Sequence, residues 1–129
     1  MNKQEIIENL SLLPYSRDDY WIITGAAMVL YGIREQTSDI DIGCTTSMAN
    51  RLEQAGYSYK ITESGNRWFK FDNTIEIFEN WLNDTITVVD GIQVITVQGL
   101  IEMKQELGRQ KDLEDIKLIQ DYYGTEENG

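Results

Sequence analysis

Two stretches decide the fold: Tyr20-Trp21-Ile22-Ile23-Thr24-Gly25-Ala26-Ala27-Met28-Val29-Leu30-Tyr31-Gly32 and, shortly after, Asp39-Ile40-Asp41-Ile42. In the first, residues 20–24 form an apolar, β-rich run and predict a strand. Residues 26–31 are apolar on every side and predict a buried helix closed by Gly32. Gly25 joins the two. Glycine lets the chain turn sharply and lets a phosphate approach the backbone. A helix starting there would offer an anion its free N–H groups and positive dipole end. In the second stretch the two isoleucines share one face of a strand, and Asp39 and Asp41 project from the other. Carboxylates at i and i+2 can share one hard cation such as magnesium, whose remaining ligands are often substrate phosphates. A phosphate cradle beside a carboxylate pair is what metal-assisted phosphoryl or nucleotidyl transfer requires.

Outward from this centre, helical spacing of Ile6, Ile7, Leu10 and Leu13 predicts a helix over 3–13, stopped by Pro14. A second helix is expected over 48–55, capped by Thr46 or Ser47. Strands are expected over 57–62, 67–71 and 74–78. A hairpin of 86–89 with 92–95 turns through Asp90-Gly91, a type I′ signal. Helices over 97–107 and 113–123, split by Gly108, close the chain. The fold class is therefore α+β (mixed α/β), a mixed sheet flanked by helices with two C-terminal helices. The 129 residues make one domain over 1–123, and 124–129 read as a flexible acidic tail. Ile75-Glu76-Ile77 repeats the apolar–acid–apolar pattern. If that strand pairs with the one carrying Asp39 and Asp41, three acids converge on one face.

Composition excludes much else. The chain holds 11 Lys and Arg against 22 Asp and Glu, a net charge of −11, and no histidine. The excess of acid is similar in both halves, so nucleic acid is disfavoured as a partner and so is a membrane surface. Without histidine, Ser-His-Asp and Cys-His catalysis and histidine-ligated zinc fall away. Cys44, alone, forms no intrachain disulfide and no cysteine metal cluster. No signal peptide or membrane span is read, so a cytoplasmic location is expected.

The pattern of Gly25-Ala26, a helix, and Asp39-Ile40-Asp41 flanked by apolar residues resembles the nucleotidyltransferase superfamily of polymerase-beta-like folds. Twelve residues, 27–38, separate the glycine turn from the first acid, a spacing that family uses. The run from Tyr31 to Asp41 resembles small bacterial members in particular, the minimal nucleotidyltransferases and abortive-infection nucleotidyltransferase toxins. Leu100-Ile101-Glu102-Met103-Lys104 and Arg109-Gln110-Lys111-Asp112-Leu113-Glu114-Asp115-Ile116 look like their final helices.

The resemblance implies transfer of a nucleoside monophosphate from a nucleoside triphosphate to a hydroxyl acceptor, with release of pyrophosphate. Asp39 and Asp41 would hold one or two magnesium ions, and Glu76 would be the third carboxylate, at the metal and the acceptor hydroxyl. Gly25 and Ala26 would hold phosphates through backbone amides, and Lys104 would reach the triphosphate. Arg34, Thr37 and Ser38 would line the nucleotide pocket. The family usually has Gly or Ser at position 26, and Ala26 removes a hydroxyl contact to phosphate. The acceptor is read as a small hydroxylated molecule or a protein side chain, its site completed in a homodimer or by a partner chain. The alternative is a weak or inactive module that binds a nucleotide or protein partner, of the toxin–antitoxin kind.

Several residues carry blander readings. Lys104 lies on the apolar stripe of its helix, where snorkelling to water competes with a ligand role. Asp112 and Asp115 suit the first turn of the last helix. Arg109 and Lys111 pair with neighbouring acids. Cys44 is a small buried residue, and for Trp68, Phe69 and Phe71 core or strand packing competes with stacking on a base.

Overall fold

The computed structural model describes residues 1–82 and 85–128, with side chains through residue 123. In chain order it contains α1 (Lys3–Ser11), a 3-10 turn (Arg17–Asp19), β1 (Tyr20–Ile23), α2 (Thr24–Leu30), β2 (Ile40–Cys44), α3 (Thr46–Gln54), β3 (Tyr59–Ile61), β4 (Arg67–Lys70), β5 (Ile75–Glu79), β6 (Ile86–Val89), β7 (Ile92–Ile95), α4 (Val97–Leu107) and α5 (Gln110–Asn128). The expected α+β class holds, and so does the mixed sheet with two closing helices. Its strands run in the order β3-β4-β5-β2-β1-β7-β6. β2 lies parallel to β5 and antiparallel to β1, which is parallel to β7.

One face of the sheet is a continuous apolar row. Val94, Ile22, Ile42, Ile77 and Phe69 stand opposite one another strand by strand, and each is fully buried. On the other face Trp21 lies across Gly43, where an added Cβ would come within 2.1 Å of the indole nitrogen. That nitrogen donates to the Trp81 carbonyl oxygen at 2.8 Å. The next row on this face is polar at its centre: Asp41 pairs in register with Ile23 on one side and Glu76 on the other. The pairing that would bring the acids together is therefore the pairing the fold adopts.

Element ends differ from the sequence reading where capping decides them. α1 stops at Ser11, and its start is fixed by a capping box between Asn2 and Glu5. α3 is capped by Thr45, whose hydroxyl accepts from the Met48 N–H, rather than by Thr46 or Ser47. α5 begins at Gln110 because the Asp112 carboxylate accepts the Arg109 N–H at 3.2 Å and closes the first turn. It continues to Asn128, so residues 124–128 of the expected loose tail have helical backbone, while Gly129 lies outside the described residues. Among the described residues no helix is long and apolar enough to cross a membrane.

Candidate active site

Period-two alternation along β2 turns Asp41 away from the buried isoleucines on either side of it. Asp39, two residues earlier, lies just ahead of the strand and is exposed. Asp39, Asp41 and Glu76 line one cleft of about 520 Å³, together with Gly25, Arg34, Thr37 and Lys104. Two expected residues do not reach it. Ala26 is fully buried in the core, because the first turn of α2 points Gly25 to the cleft and the next residue inward. Ser38 is exposed on the loop and does not line the cleft.

Thr24, outside the set of residues the sequence points to, is central. Its hydroxyl donates to Asp41 Oδ2 at 2.8 Å, and it does so from a backbone with φ of +56°. A β-branched residue in the left-handed region costs on the order of 1–2 kcal/mol and is held only by its surroundings. Burial pushes the Asp41 carboxyl above its ordinary pKa; the Thr24 hydrogen bond opposes this, Asp39 adds to it and Lys111 opposes it. Gly25 leaves room in the cradle, since a Cβ there would stand 2.9 Å from Thr37 Oγ1 and 3.0 Å from Arg34 Nη1. No side chain caps the N-terminus of α2.

The opposite wall comes from α4, α5 and the bend between them. Lys104 is buried to within 4%; its Nζ donates to Asp115 Oδ2 at 2.9 Å and lies 3.8 Å from Asp112. The ammonium thus meets carboxylates instead of snorkelling to water. Asp115 also pairs with Arg34. Arg109 Nε donates to Asp112 at 2.6 Å, and that guanidinium holds the Asp112 carboxyl below the usual range. Asp112 thus fills the first-turn role expected of it, while Asp115 bridges two cations across the cleft. Arg109, Lys111 and Glu114 line the cleft as well. Four of the 11 basic residues, Arg34, Lys104, Arg109 and Lys111, therefore converge here in a protein of net charge −11.

The donor set is entirely oxygen. Magnesium needs only one or two protein carboxylates, with phosphates and water completing its octahedron. Asp39 and Asp41 meet that demand: they line one cleft, and the charge of one is felt by the other. Among the described residues no three Asp, Glu, Cys or His side chains are gathered as a ready-made metal cluster. Cys44 is no nucleophile, since burial pushes its thiol up to about 12.

No protein-family model matches the sequence, and no curated protein matches it either. Solved structures do. A provisionally assigned nucleotidyltransferase from Thermotoga maritima is 16% identical, over 91% of this chain and 93% of its own, with a TM-score of 0.63. ANT(2″)-Ia, solved in complex with adenylyl-2″-tobramycin, is 14% identical over 98% of this chain and 88% of its own, with a TM-score of 0.57. JHP933 from Helicobacter pylori is 16% identical over 93% of this chain and 63% of its own, at 0.54. The chain has the nucleotidyltransferase fold.

Proposed function

We propose that this protein is a magnesium-dependent nucleotidyltransferase, moving a nucleoside monophosphate from a nucleoside triphosphate such as ATP to a hydroxyl acceptor. The observation that carries this reading is a single cleft in which three acids of the sheet side meet four cations, themselves interleaved with Asp112, Glu114 and Asp115. Asp41 and Glu76 face it from adjacent parallel strands, Asp39 stands beside them, and Arg34, Lys104, Arg109 and Lys111 line the same space. Asp39 and Asp41 would hold magnesium, with Glu76 beside them; the metal supplies charge neutralisation on the phosphates and lowers the barrier to in-line displacement. Thr24 orients Asp41, and the opening at Gly25 admits phosphate close to the backbone. The cations offset the triphosphate charge and the charge that develops on leaving pyrophosphate. Glu76 accepts the proton of the acceptor hydroxyl. A cytoplasmic place of action accords with this chemistry, where triphosphates are plentiful.

A second reading, a module that binds a nucleotide or a protein partner without turnover, draws on one observation. Lys104 is already committed to carboxylates of its own chain.

Calorimetric titration with a non-hydrolysable ATP analogue, with and without magnesium, tests the first reading. Magnesium-dependent binding that falls at least about tenfold in Asp41→Asn is the expected result. Absence of binding in both proteins would overturn it, and pyrophosphate release with added acceptors separates catalyst from binder.

A further inference from the structure

Glu76 faces two cavities. Besides the cleft, it borders a second space of about 410 Å³ over the outer strands, lined also by Lys60, Trp68 and Lys70. The sheet register explains the grouping. Lys60 stands opposite Trp68, Lys70 stands opposite Glu76, and Glu76 stands opposite Asp41. Residues opposite one another, or two apart on a strand, share a face. The second cavity is therefore a lateral continuation of the acidic row.

Its walls have a definite chemistry. The Trp68 ring is braced flat against Phe78, with centroids 5.6 Å apart and planes 12° from parallel. Lys60 Nζ lies 5.8 Å from the Trp68 centroid. Neither Lys60 nor Lys70 has a carboxylate within ion-pair distance among the described residues. In a chain with twice as many acids as bases, two lysines beside an indole with no carboxylate partner among the described residues mark a place suited to negative charge. The Trp68 Nε1–H, shielded from water, also has no acceptor among the described residues.

We propose that this cavity is the acceptor site, and that the acceptor is a small hydroxylated ring compound carrying a carboxylate or phosphate. The inference rests on the nucleotidyl-transfer reading and adds the acceptor's chemical class to it. Phe78 covers one side of the indole, and the acceptor ring takes the place over it that Lys60 now holds; the anionic group sits between Lys60 and Lys70, and the hydroxyl points to Glu76. Its oxygen forms a bond to the α-phosphorus as the bond from that phosphorus to the bridging oxygen breaks. Pyrophosphate leaves with the electron pair, and the hydroxyl proton passes to Glu76 and on to water. A polycationic acceptor meets two like charges here and is rejected.

Trp68 reports occupancy without turnover. With a non-hydrolysable ATP analogue and magnesium present, 4-hydroxyphenylacetate, glucose 6-phosphate, tobramycin and a short single-stranded oligonucleotide are each titrated while indole fluorescence is followed. The same titrations are run without the analogue. The expected result is a saturable change with one or both small anions and none with tobramycin or the oligonucleotide. The two anions separate carboxylate from phosphate as the preferred group. Lys60→Gln with Lys70→Gln weakens that binding at least about tenfold, and Trp68→Phe abolishes the signal. The proposal is overturned if neither anion binds, if tobramycin or the oligonucleotide binds in their place, or if the lysine variants match the parent. Nucleotide affinity, measured separately by calorimetry, shows whether a failure belongs to the acceptor site or to the nucleotide site.

Discussion

At the scale of single residues, one missing carbon at Gly25 shapes the cleft. A methyl there would press on Thr37 Oγ1 and Arg34 Nη1, which are side-chain tips rather than backbone, so the fold tolerates it and the cradle does not. Gly25→Ala is expected to change unfolding free energy by less than about 1 kcal/mol, since Gly25 is not among the residues with positive φ. The same change should weaken binding of an ATP analogue about tenfold. Urea denaturation and calorimetry on one preparation check both halves; lost stability with unchanged affinity would contradict the assignment. Gly25, Asp39 and Asp41 were legible because their signal is local, a turn residue and an alternating strand at fixed spacing. Thr24 was not, because nothing in a threonine announces a left-handed backbone or a hydroxyl aimed 17 positions ahead at Asp41. Ala26 comes from the resemblance and Ser38 from its place on the loop before the acids; neither lines the cleft, because Ala26 turns into the core and Ser38 stands outside it.

At the scale of elements, β5 shows how one strand serves two ends. Glu76 faces the cleft, and Glu79, three residues on, faces the opposite side, where it is 7% exposed. Its carboxylate accepts from Arg67 N, Nε and Nη2 at 2.9, 3.0 and 2.9 Å, tying β4 to β5. The guanidinium pulls the Glu79 pKa from its ordinary 4.5 down to about 2. A depressed carboxyl pKa contributes stability that is present above the unfolded value and lost as pH falls through the folded one. That loss, up to about 3 kcal/mol, belongs to the window from about 4.5 down to about 2. Glu79→Gln should therefore be less stable than the parent at pH 7, and the gap should close as pH falls through that window. Urea midpoints at several pH values measure it, and a gap independent of pH would assign the effect to packing instead. The strands themselves were readable from alternation, and the Asp90-Gly91 hairpin from its turn chemistry, both residues having positive φ. Helix ends were read less well. Neighbouring Thr45, Thr46 and Ser47 all suit an N-cap, and only the meeting of α3 with β2 chooses among them.

At the scale of the whole molecule, charge is arranged rather than merely summed. A net charge of −11 conceals a cleft where four cations meet six acids. The arrangement is held by contacts that no local pattern records: Arg34 and Asp115 are 81 positions apart, and Lys104 reaches the same carboxylate from α4. Asp115 thereby clasps the loop after α2 to both C-terminal helices. Asp115→Asn removes the charge that Lys104 and Arg34 share and leaves Lys104, 5% exposed, with Asp112 alone at 3.8 Å. Loss of one partner of a buried pair costs up to about 3–5 kcal/mol, and less where a partner such as Arg34 is about a third exposed. A fall of several degrees in Tm follows for the free protein. In the parent a triphosphate must compete with Asp115 for these two cations, whereas in the variant only Asp112, at 3.8 Å from Lys104, still competes. Saturating ATP analogue with magnesium should therefore raise the Tm of Asp115→Asn by more than it raises that of the parent. Equal shifts in the two proteins would mean that the phosphates bind without touching Lys104 or Arg34, and the cation wall would then serve the fold rather than the nucleotide.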